Sequence, residues 1–401
     1  MSEVAVIGAG TMGSGIAQVA ATHGWRVRLV DVDAAVANRA IERIRGQLDR
    51  AVERQRMSAS DRDAALSLLS AASIADLGGC ELVVEAIVED LDVKTRILGE
   101  ATQIAPRTAI LASNTSSLSI TRIGESIGCP ERTLGMHFFN PAPVMPLVEV
   151  IAGSASAADC LERAVEIAAA WGKTPVRAKD TPGFIVNRVA RGYYLEPLRM
   201  LDEGVSGVSE IDQILKTLGG FRMGPFELMD LIGIDVNYSV SRSVWEQLGR
   251  PARLQPHELQ VRLVEQHHYG RKTKQGFYSY QPAHPYPAVV VARKSFELPD
   301  DVYKAVRLFC QAGTDESGSI TEQYVFARTL AAIINEAAWA LDGDVATAED
   351  IDTAMRLGVN YPRGPIEWAE RIGRRTCRHL LDTLNRHASD GRFAAAQWLR
   401  T

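Results

Sequence analysis

His137 and Glu149 are separated by a proline-rich segment that has apolar, strand-like runs on both sides. If the chain reverses at this bend, the Glu149 carboxylate returns beside the His137 imidazole. A carboxylate on one ring nitrogen fixes the tautomer of a histidine and stabilises the imidazolium that forms when the other nitrogen takes a proton. The pair therefore predicts general-base chemistry. An isolated histidine is more often structural, so this hypothesis depends on the fold around the pair.

A glycine-rich segment follows the first apolar run of the chain. Gly8, Gly10 and Gly13 have the spacing G-x-G-x-x-G, with Thr11 and Met12 between the last two. A strand-like run precedes the segment and a helical pattern follows it, which is the context that a dinucleotide-binding loop requires. The glycines would allow a tight turn, a close approach of a pyrophosphate and close helix–strand packing.

Asp31 follows the second predicted strand. A carboxylate at this position accepts hydrogen bonds from the adenosine ribose hydroxyls and repels a 2′-phosphate, which favours NAD over NADP. The structural alternative is a glycine turn that binds no nucleotide. Strand, loop, helix and acid together favour NAD binding over that alternative.

The elements that would position these residues alternate through the first part of the chain. The candidate strands are Val4–Ile7, Val27–Val30, Leu82–Ala86, Ala109–Ala112, Thr133–Met136 and Leu147–Ile151. Their alternation with helical segments predicts an α/β Rossmann domain with a doubly wound, mostly parallel sheet. The segment from Ala34 to about Ala72 predicts a long helical excursion. After Pro182 the strand pattern fades, and two tandem all-α helical domains are expected.

The C-terminal region repeats the helical region before it. Arg188, Ile211-Asp212, Gly224-Pro225 and Glu227 recur 140 positions later as Arg328, Ile351-Asp352, Gly364-Pro365 and Glu367. This ungapped register predicts a duplication. The predicted domains are a nucleotide-binding domain over residues 1–181, a first helical domain over 182–280, a linker with a short helix over 281–318, and a second, degenerate helical domain over 319–401.

Composition limits the class of protein. The net charge of −5 argues against nucleic-acid binding as the main activity. The five cysteines (Cys80, Cys129, Cys160, Cys310 and Cys377) are scattered, so neither a disulfide framework nor a metal site is expected. No apolar run is long enough to span a membrane, and a strand begins too early for a signal peptide. A cytoplasmic location is therefore expected.

Long, ordered motifs give the chain a family resemblance. They are Val6–Ala17, Val84–Glu89, Ser113–Ser117, His137–Val150, Asp180–Arg188 and Gly224–Asp230. With these motifs the sequence resembles the 3-hydroxyacyl-CoA dehydrogenases of fatty-acid and aromatic-acid degradation, including phenylacetate breakdown. The duplicated helical region resembles the two-copy members of that family. The resemblance implies NAD-dependent oxidation of (3S)-3-hydroxyacyl-CoA to 3-oxoacyl-CoA, with an acyl-CoA as substrate.

The resemblance also implies a role for individual residues. His137 would be the general base and Glu149 its orienting partner, while Ser116 and Asn187 would hold the reacting oxygen of the substrate. The second helical copy has Ala327 in place of Asn187. That copy is therefore expected to keep the packing residues and to substitute for a dimer partner, so a monomer or a homodimer is possible.

On the cofactor side, the resemblance places Glu89 and Lys94 along the nicotinamide ribose and Asn114 in the cofactor cleft.

Another departure from the family is Lys274, where relatives commonly carry glycine, and it puts the conformation of that loop in doubt.

A stripe of arginines has two interpretations, a CoA site and a solvated helix face. Arg39, Arg43, Arg50 and Arg54 have helical spacing. The resemblance places Gln47 and Arg54 against CoA. Interleaved acidic residues would offset the charge of the stripe and favour a solvated face; they are Glu42, Asp49 and Glu53.

Two other functions stay open at this level. One is a CoA-independent, NAD-dependent sugar-acid dehydrogenase of the L-gulonate type, which shares the dinucleotide loop and the histidine. The other is a non-catalytic NAD(H)-binding protein. The segment from His137 to Pro146 and the duplicated domain favour the acyl-CoA enzyme over the first, and the histidine–glutamate pair argues against the second.

Overall fold

The computed structural model describes residues 2–281, 285–292, 294 and 297–400. The chain divides into two compact units, Met1–Phe184 and Ile185–Thr401. The predicted linker over 281–318 includes Pro282, which lies outside the described residues together with residues 283, 284, 293, 295 and 296. Within the described ranges, no helix is both long and apolar enough to cross a membrane.

The first unit is built on one eight-stranded sheet with the order β3-β2-β1-β4-β5-β6-β7-β8. Its strands are β1 Glu3–Ile7, β2 Arg26–Val30, β3 Leu69–Ala72, β4 Leu82–Glu85, β5 Ile110–Ser113, β6 Thr133–Phe138, β7 Leu147–Ala152 and β8 Thr174–Lys179. Its helices are α1 Thr11–Thr22, α2 Ala34–Glu53, α3 Ala59–Ser67, α4 Leu91–Ile104, α5 Ile120–Ser126 and α6 Ala158–Ala170. All neighbouring strands are parallel except β6 and β7. The predicted doubly wound, mostly parallel sheet is confirmed.

The topology explains where a ligand can bind. The chain moves outward from β1 through β2 to β3, then returns to the other side of β1 with β4. At such a switch point the loops that follow the two central strands diverge and leave a crevice at their carboxyl ends. The glycine loop follows β1, and the Val84–Glu89 segment crosses the end of β4, so both lie at this crevice.

Two strands of the eight-stranded sheet are absent from the sequence prediction. The helical excursion predicted up to Ala72 is wrong at its end, because Leu69–Ala72 pairs with β2 as β3. This strand has four residues and little alternation of apolar and polar side chains. Its strand conformation depends on pairing with β2, which the local sequence does not indicate. The edge strand β8 was missed because Pro175 and the charged Arg177 and Lys179 obscure its pattern.

The second unit is mainly helical. Its helices are α7 Val186–Val189, α8 Arg191–Asp202, α9 Val208–Thr217, α10 Pro225–Ile232, α11 Ile234–Gln247, α12 Glu258–Glu265, α13 Asp300–Gly313, α14 Ile320–Asp342, α15 Ala348–Gly358, α16 Pro365–Ile372 and α17 Arg374–His387. The second unit also has a two-residue strand pair, β9 Tyr278–Ser279 and β10 Tyr286–Pro287. Lys274 adopts a left-handed backbone with φ 60°, which favours glycine and explains why the departure noted in the sequence matters.

The duplication is visible in equivalent hydrogen bonds. Helices α10 and α16 begin and end 140 positions apart, as do α11 and α17. Asp212 accepts hydrogen bonds from the first amide groups of α10, Phe226 N at 2.9 Å and Glu227 N at 3.0 Å. Asp352 accepts the equivalent pair in α16 at 2.8 and 2.9 Å. The same residue thus caps the same helix in both copies.

Two reciprocal ion pairs join the copies. Arg188 of the first copy pairs with Glu336 of the second at 2.7 Å, and Arg328 of the second pairs with Glu196 of the first at 2.7 Å. All four side chains are buried. The helices α8 and α14 approach closely, since a Cβ at Gly192 would lie 2.8 Å from the backbone nitrogen of Ile333. The two copies therefore pack as a pseudo-symmetric pair within the unit.

Candidate active site

The glycine loop connects β1 to α1 in the geometry that the spacing predicted. Gly8 has φ 106°, a backbone conformation that side-chain-bearing residues rarely adopt. A Cβ at Gly13 would lie 1.7 Å from the Gly8 carbonyl oxygen, whereas a Cβ at Gly10 would meet nothing within 4 Å. Glycine is therefore required at 8 and 13 by the protein itself. At Gly10 the space is open, and Thr11 and Met12 form the first turn of the helix beside it.

A cavity of about 760 Å³ lies at the carboxyl ends of the central strands. Its lining includes Gly8, Gly10, Thr11, Met12, Asp31, Ile87, Val88 and Arg96. The Asp31 carboxylate accepts from Ala9 N at 2.6 Å and from Val32 N at 2.8 Å, and these bonds fix its position beside the loop. An open helix N-terminus, a mainly apolar cavity and an oriented carboxylate fit the pyrophosphate, adenine and ribose of a dinucleotide.

Glu89 is the centre of a cluster of polar side chains. It accepts hydrogen bonds from Thr115 Oγ1 at 2.6 Å, Ser116 N at 2.9 Å and Ser116 Oγ at 3.3 Å. Its other oxygen lies 3.3 Å from Lys94 Nζ. Burial opposes ionisation of Glu89, but Lys94 and these donors outweigh it and lower the pKa of the carboxyl. The structure thus brings Glu89, Lys94 and Ser116 together.

Lys94 also has a partner that the sequence reading missed. Its Nζ lies 2.6 Å from Glu85 Oε1, and both side chains are almost fully buried. The second Glu85 oxygen accepts from Ser113 Oγ at 2.6 Å. Lys94 is therefore an internal cation that holds Glu85 and Glu89, and it is not a lining residue of the cavity. A glutamate ending a buried apolar run was the available signal for Glu85.

Asn114 follows β5 and connects that strand to the next one. Its Oδ1 accepts a hydrogen bond from Phe138 N at 2.8 Å. Phe138 is the neighbour of His137, so Asn114 fixes the backbone at the position of the predicted base.

His137 and Glu149 are directly opposed across the antiparallel strands β6 and β7. The imidazole Nδ1 lies 2.6 Å from Glu149 Oε2. Glu149 is 0% exposed and His137 is 7% exposed. The rings of Phe139 and Phe184 lie 4.5 and 6.0 Å from the imidazole, measured between centroids. The sequence prediction of a reversal that pairs these residues is confirmed. An ionised Glu149 makes Nδ1 the protonated nitrogen, which leaves Nε2 as the one able to take a proton.

The bend between β6 and β7 is held by a lysine that the sequence reading also missed. Lys173 Nζ donates to Ala142 O at 2.5 Å and to Met145 O at 2.9 Å. Burial lowers the pKa of this lysine, and two carbonyl oxygens are the acceptors that it contacts. The signal was weak, because Lys173 lies far along the chain from the bend.

A second groove, of about 470 Å³, lies between α2, α1 and the bend. Its lining includes Thr11, Arg43, Gln47, Arg50, Arg54, Arg56 and Pro143. Acidic residues of α2 pair with other arginines, Glu42 with Arg45 at 3.3 Å and Asp49 with Arg62 at 2.9 Å. Gln47 and Arg54 thus lie together in a basic groove, whereas Arg39 does not line it. Arg43 donates to the Ala9 carbonyl at 2.9 Å and so supports the glycine loop.

Asn187 lies in α7 of the second unit, in the helical stretch that continues through Ala190 into α8.

The fold and the cavity define an NAD-dependent oxidoreductase with a Rossmann domain. The sequence model described as "3-hydroxyacyl-CoA dehydrogenase, NAD binding domain" matches residues 3–181, and that of the C-terminal domain of the same enzymes matches residues 183–280 and 324–401. The chain belongs to the 3-hydroxyacyl-CoA dehydrogenase family.

Similar proteins agree with this assignment. The chain is 38% identical to a 3-hydroxyadipyl-CoA dehydrogenase of Escherichia coli strain K12, over 99% of this chain and 96% of the relative. It is 38% identical to the mitochondrial hydroxyacyl-coenzyme A dehydrogenase of Homo sapiens, over 70% of this chain and 92% of the relative. A solved 3-hydroxybutyryl-CoA dehydrogenase of Escherichia coli K12 is 37% identical with a TM-score of 0.89, over 100% of this chain and 97% of that one. An (S)-3-hydroxybutyryl-CoA dehydrogenase from Ralstonia eutropha is 34% identical with a TM-score of 0.68, over 70% of this chain and 100% of that one.

Proposed function

We propose that His137 is the general base in the NAD-dependent oxidation of (3S)-3-hydroxyacyl-CoA to 3-oxoacyl-CoA. The observation that carries this proposal is the buried contact of 2.6 Å between His137 Nδ1 and Glu149 Oε2. The 3-hydroxyl proton passes to Nε2, and the C3–O bond becomes a carbonyl as the hydride leaves C3. NAD supplies the hydride acceptor when it is bound. Glu149 stabilises the imidazolium that results, because an opposite charge in a buried site has little solvent screening.

Ser116 and Asn187 are proposed to hold the substrate oxygen, whose charge changes during the reaction. Glu89 is proposed to line the nicotinamide ribose. In this proposal Lys94 acts on the cofactor through Glu89, since its amine is buried against Glu85 and Glu89. A donor aimed at a developing charge contributes to the rate only if it is held in place beforehand, and the bonds of Glu89 to Ser116 provide that constraint.

CoA is proposed to bind in the basic groove, with Arg54 and Gln47 as contacts. Its phosphates are anionic, and Arg50 and Arg54 lie on the same wall of this groove. The groove shares Thr11 with the cofactor cavity, so an extended thioester could approach the dinucleotide. The relatives named above are associated with acyl chains that have a terminal carboxylate (3-hydroxyadipyl) or lack one (3-hydroxybutyryl).

The four-part domain division is proposed as well, with the second helical copy as a structural repeat. Its support is the pair of reciprocal salt bridges, Arg188–Glu336 and Arg328–Glu196, which bury the faces of both copies. Such a copy can serve where a single-copy protein would need a second chain. A monomer or a homodimer is compatible with this proposal. A cytoplasmic location is proposed on the five free thiols.

The test is the reverse reaction with NADH and acetoacetyl-CoA, followed by loss of the nicotinamide absorbance, with His137→Gln beside the wild type. The proposal expects turnover that this substitution abolishes while NADH still binds. Turnover of L-gulonate with NAD and none of acetoacetyl-CoA or longer acyl-CoA substrates would instead establish a sugar-acid enzyme. NADH binding without turnover of any of these would indicate a non-catalytic binding protein.

A further inference from the structure

Arg191 is a buried arginine in the second unit, and the groups that it contacts among the described residues are all neutral. It is 3% exposed. Its Nη1 donates to Asn237 O at 3.2 Å and to Ser241 Oγ at 2.8 Å, and its guanidinium carbon lies 4.9 Å from the centre of the Tyr194 ring. Burial lowers the pKa of Arg191, and tyrosines, not carboxylates, are the groups that oppose this effect. A buried guanidinium without an anion is unfavourable, which makes this position unusual.

The unused edge of the guanidinium has a definite chemistry. Within the described residues, Arg191 Nε is buried and has no hydrogen-bond partner. Both hydrogen bonds of the guanidinium, to Asn237 O and Ser241 Oγ, are donated by Nη1. The edge formed by Nε and Nη2 is therefore available to another acceptor. This edge binds a carboxylate side-on through two parallel N–H···O bonds. The hydroxyl of Tyr361, which interacts electrostatically with Arg191, is also buried without a partner among the described residues. Two buried donors here thus lack an acceptor.

Arg191 lies one helical turn beyond Asn187. Helices α7 and α8 are joined by Ala190, whose own backbone is helical (φ −65°, ψ −12°). Residues four positions apart therefore share one face, with Cβ atoms roughly 5–6 Å apart. A substrate whose 3-oxygen is held by Asn187 can place a group only a few bonds further along its acyl chain near Arg191.

The second helical copy shows that packing does not require this arginine. The residues 140 positions after Asn187 and Arg191 are Ala327 and Ala331. The residues equivalent to Asn237 and Ser241 are Cys377 and Leu381, and both are fully buried. Structural groups, by contrast, are retained, because each copy has its own ion-pair arginine and its own capping aspartate. Of the two copies, only the first has an arginine with polar neighbours at this position, and only the first has the asparagine Asn187.

We propose that Arg191 binds a carboxylate at the far end of the acyl chain, so that the preferred substrates are CoA thioesters of 3-hydroxydicarboxylic acids. This inference rests on the proposed function, and in particular on the contact of Asn187 with the substrate oxygen. Tyr361 donates a further hydrogen bond to the same carboxylate. An acyl chain that ends in a methyl group would leave the guanidinium edge buried and unpaired, which is why the site discriminates against it.

The experiment compares 3-hydroxyadipyl-CoA with 3-hydroxyhexanoyl-CoA, which have the same chain length and differ in the terminal carboxylate. The wild type is expected to have a kcat/KM about 100-fold higher for the dicarboxylic substrate. Arg191→Met should lower kcat/KM for 3-hydroxyadipyl-CoA about 100-fold and change it less than about threefold for 3-hydroxyhexanoyl-CoA. The control is Arg242→Met, which removes the same charge from an exposed position of α11, where 58% of the side chain is accessible. This control should leave both values unchanged.

A second variant covers the case in which Arg191→Met does not fold. Tyr361→Phe removes only the unpartnered hydroxyl, and the equivalent residue of the first copy, Phe221, is already a phenylalanine. It should lower kcat/KM for 3-hydroxyadipyl-CoA several-fold and spare 3-hydroxyhexanoyl-CoA. Equal use of both substrates by the wild type, or equal losses on both in the variants, would overturn the inference. Turnover of neither substrate by a wild type that does reduce acetoacetyl-CoA would also overturn the inference, whereas turnover of none of the three would refute the proposed function itself.

Discussion

The substitution Glu149→Gln isolates the charge behind the proposed base. Glutamine has the shape of glutamate, and its amide oxygen can still accept from His137 Nδ1 at a distance near the 2.6 Å of the wild type. The orientation of the ring is then kept, and only the negative charge is lost. Because Glu149 is 0% exposed, water cannot replace that charge when the imidazolium forms.

The size of the effect follows from this burial. Removing one partner of a buried, hydrogen-bonded charge pair costs about 3–4 kcal/mol. The charge pair is complete only after the proton has moved, so the cost falls on the transition state and not on substrate binding. At 1.36 kcal/mol for each tenfold change, kcat should fall about 100- to 1,000-fold, with KM nearly unchanged.

The assay is the single-turnover oxidation of (3S)-3-hydroxybutyryl-CoA by enzyme-bound NAD, the direction in which His137 takes the proton, and it separates the chemical step from product release. Glu166→Gln is the matched control, since it removes the same charge from a side chain that is 66% exposed in the same unit. NADH affinity, measured by fluorescence titration, should be the same in all three proteins. If the Glu149→Gln rate stays within about threefold of the wild type, Glu149 only shapes the sheet and our account of the base is wrong.

Three further predictions follow from individual contacts. Gly10→Ala should keep the melting temperature but weaken NADH binding about tenfold in a fluorescence titration, because the added methyl group enters open space that the pyrophosphate needs. Lys173→Met leaves two carbonyl groups of the β6–β7 bend unpaired, and should lower stability by about 2 kcal/mol and raise KM for acetoacetyl-CoA; unchanged values for both would contradict this role. Burial raises the pKa of Asp212 from 3.8 to about 7, so the folded protein keeps a proton that the unfolded chain releases near pH 4. Asp212 should therefore contribute up to about 4 kcal/mol below pH 4, and this contribution is lost as the pH rises to 7. Urea unfolding across this range should show a flatter pH dependence in Asp212→Asn than in the wild type, and an unaltered slope would refute it.

The sequence was sufficient for features that depend on local order. The glycine loop, Asp31 after β2, and the bend that returns Glu149 to His137 are all encoded within short segments. The antiparallel strands β6 and β7 fix the register that sets His137 opposite Glu149. A shift of one strand by one residue would move the histidine to the other face of the sheet.

Contacts between segments that are far apart in the chain could not be predicted from the sequence. Lys94 has the appearance of a helix-surface lysine, yet it is almost fully buried beside Glu85. In the sequence Arg43 was part of a basic stripe, whereas in the structure its guanidinium donates a hydrogen bond to the Ala9 carbonyl. Long side chains reach several partners at once, and only the packing of the fold decides which of them is within range.

The duplication separates structural polar groups from functional ones, which a single copy cannot do. Asp212 and Asp352 cap equivalent helices, and burial raises the pKa of both. A carboxylate that desolvation disfavours and that nevertheless occurs in both copies must serve the helix that it caps, because the second copy has lost the predicted substrate contact. Asp212 additionally accepts from the Tyr278 hydroxyl at 2.7 Å. Retained groups such as these aspartates therefore belong to the fold, whereas Asn187 and Arg191, which the second copy replaces with alanine, are the polar residues proposed to contact the substrate.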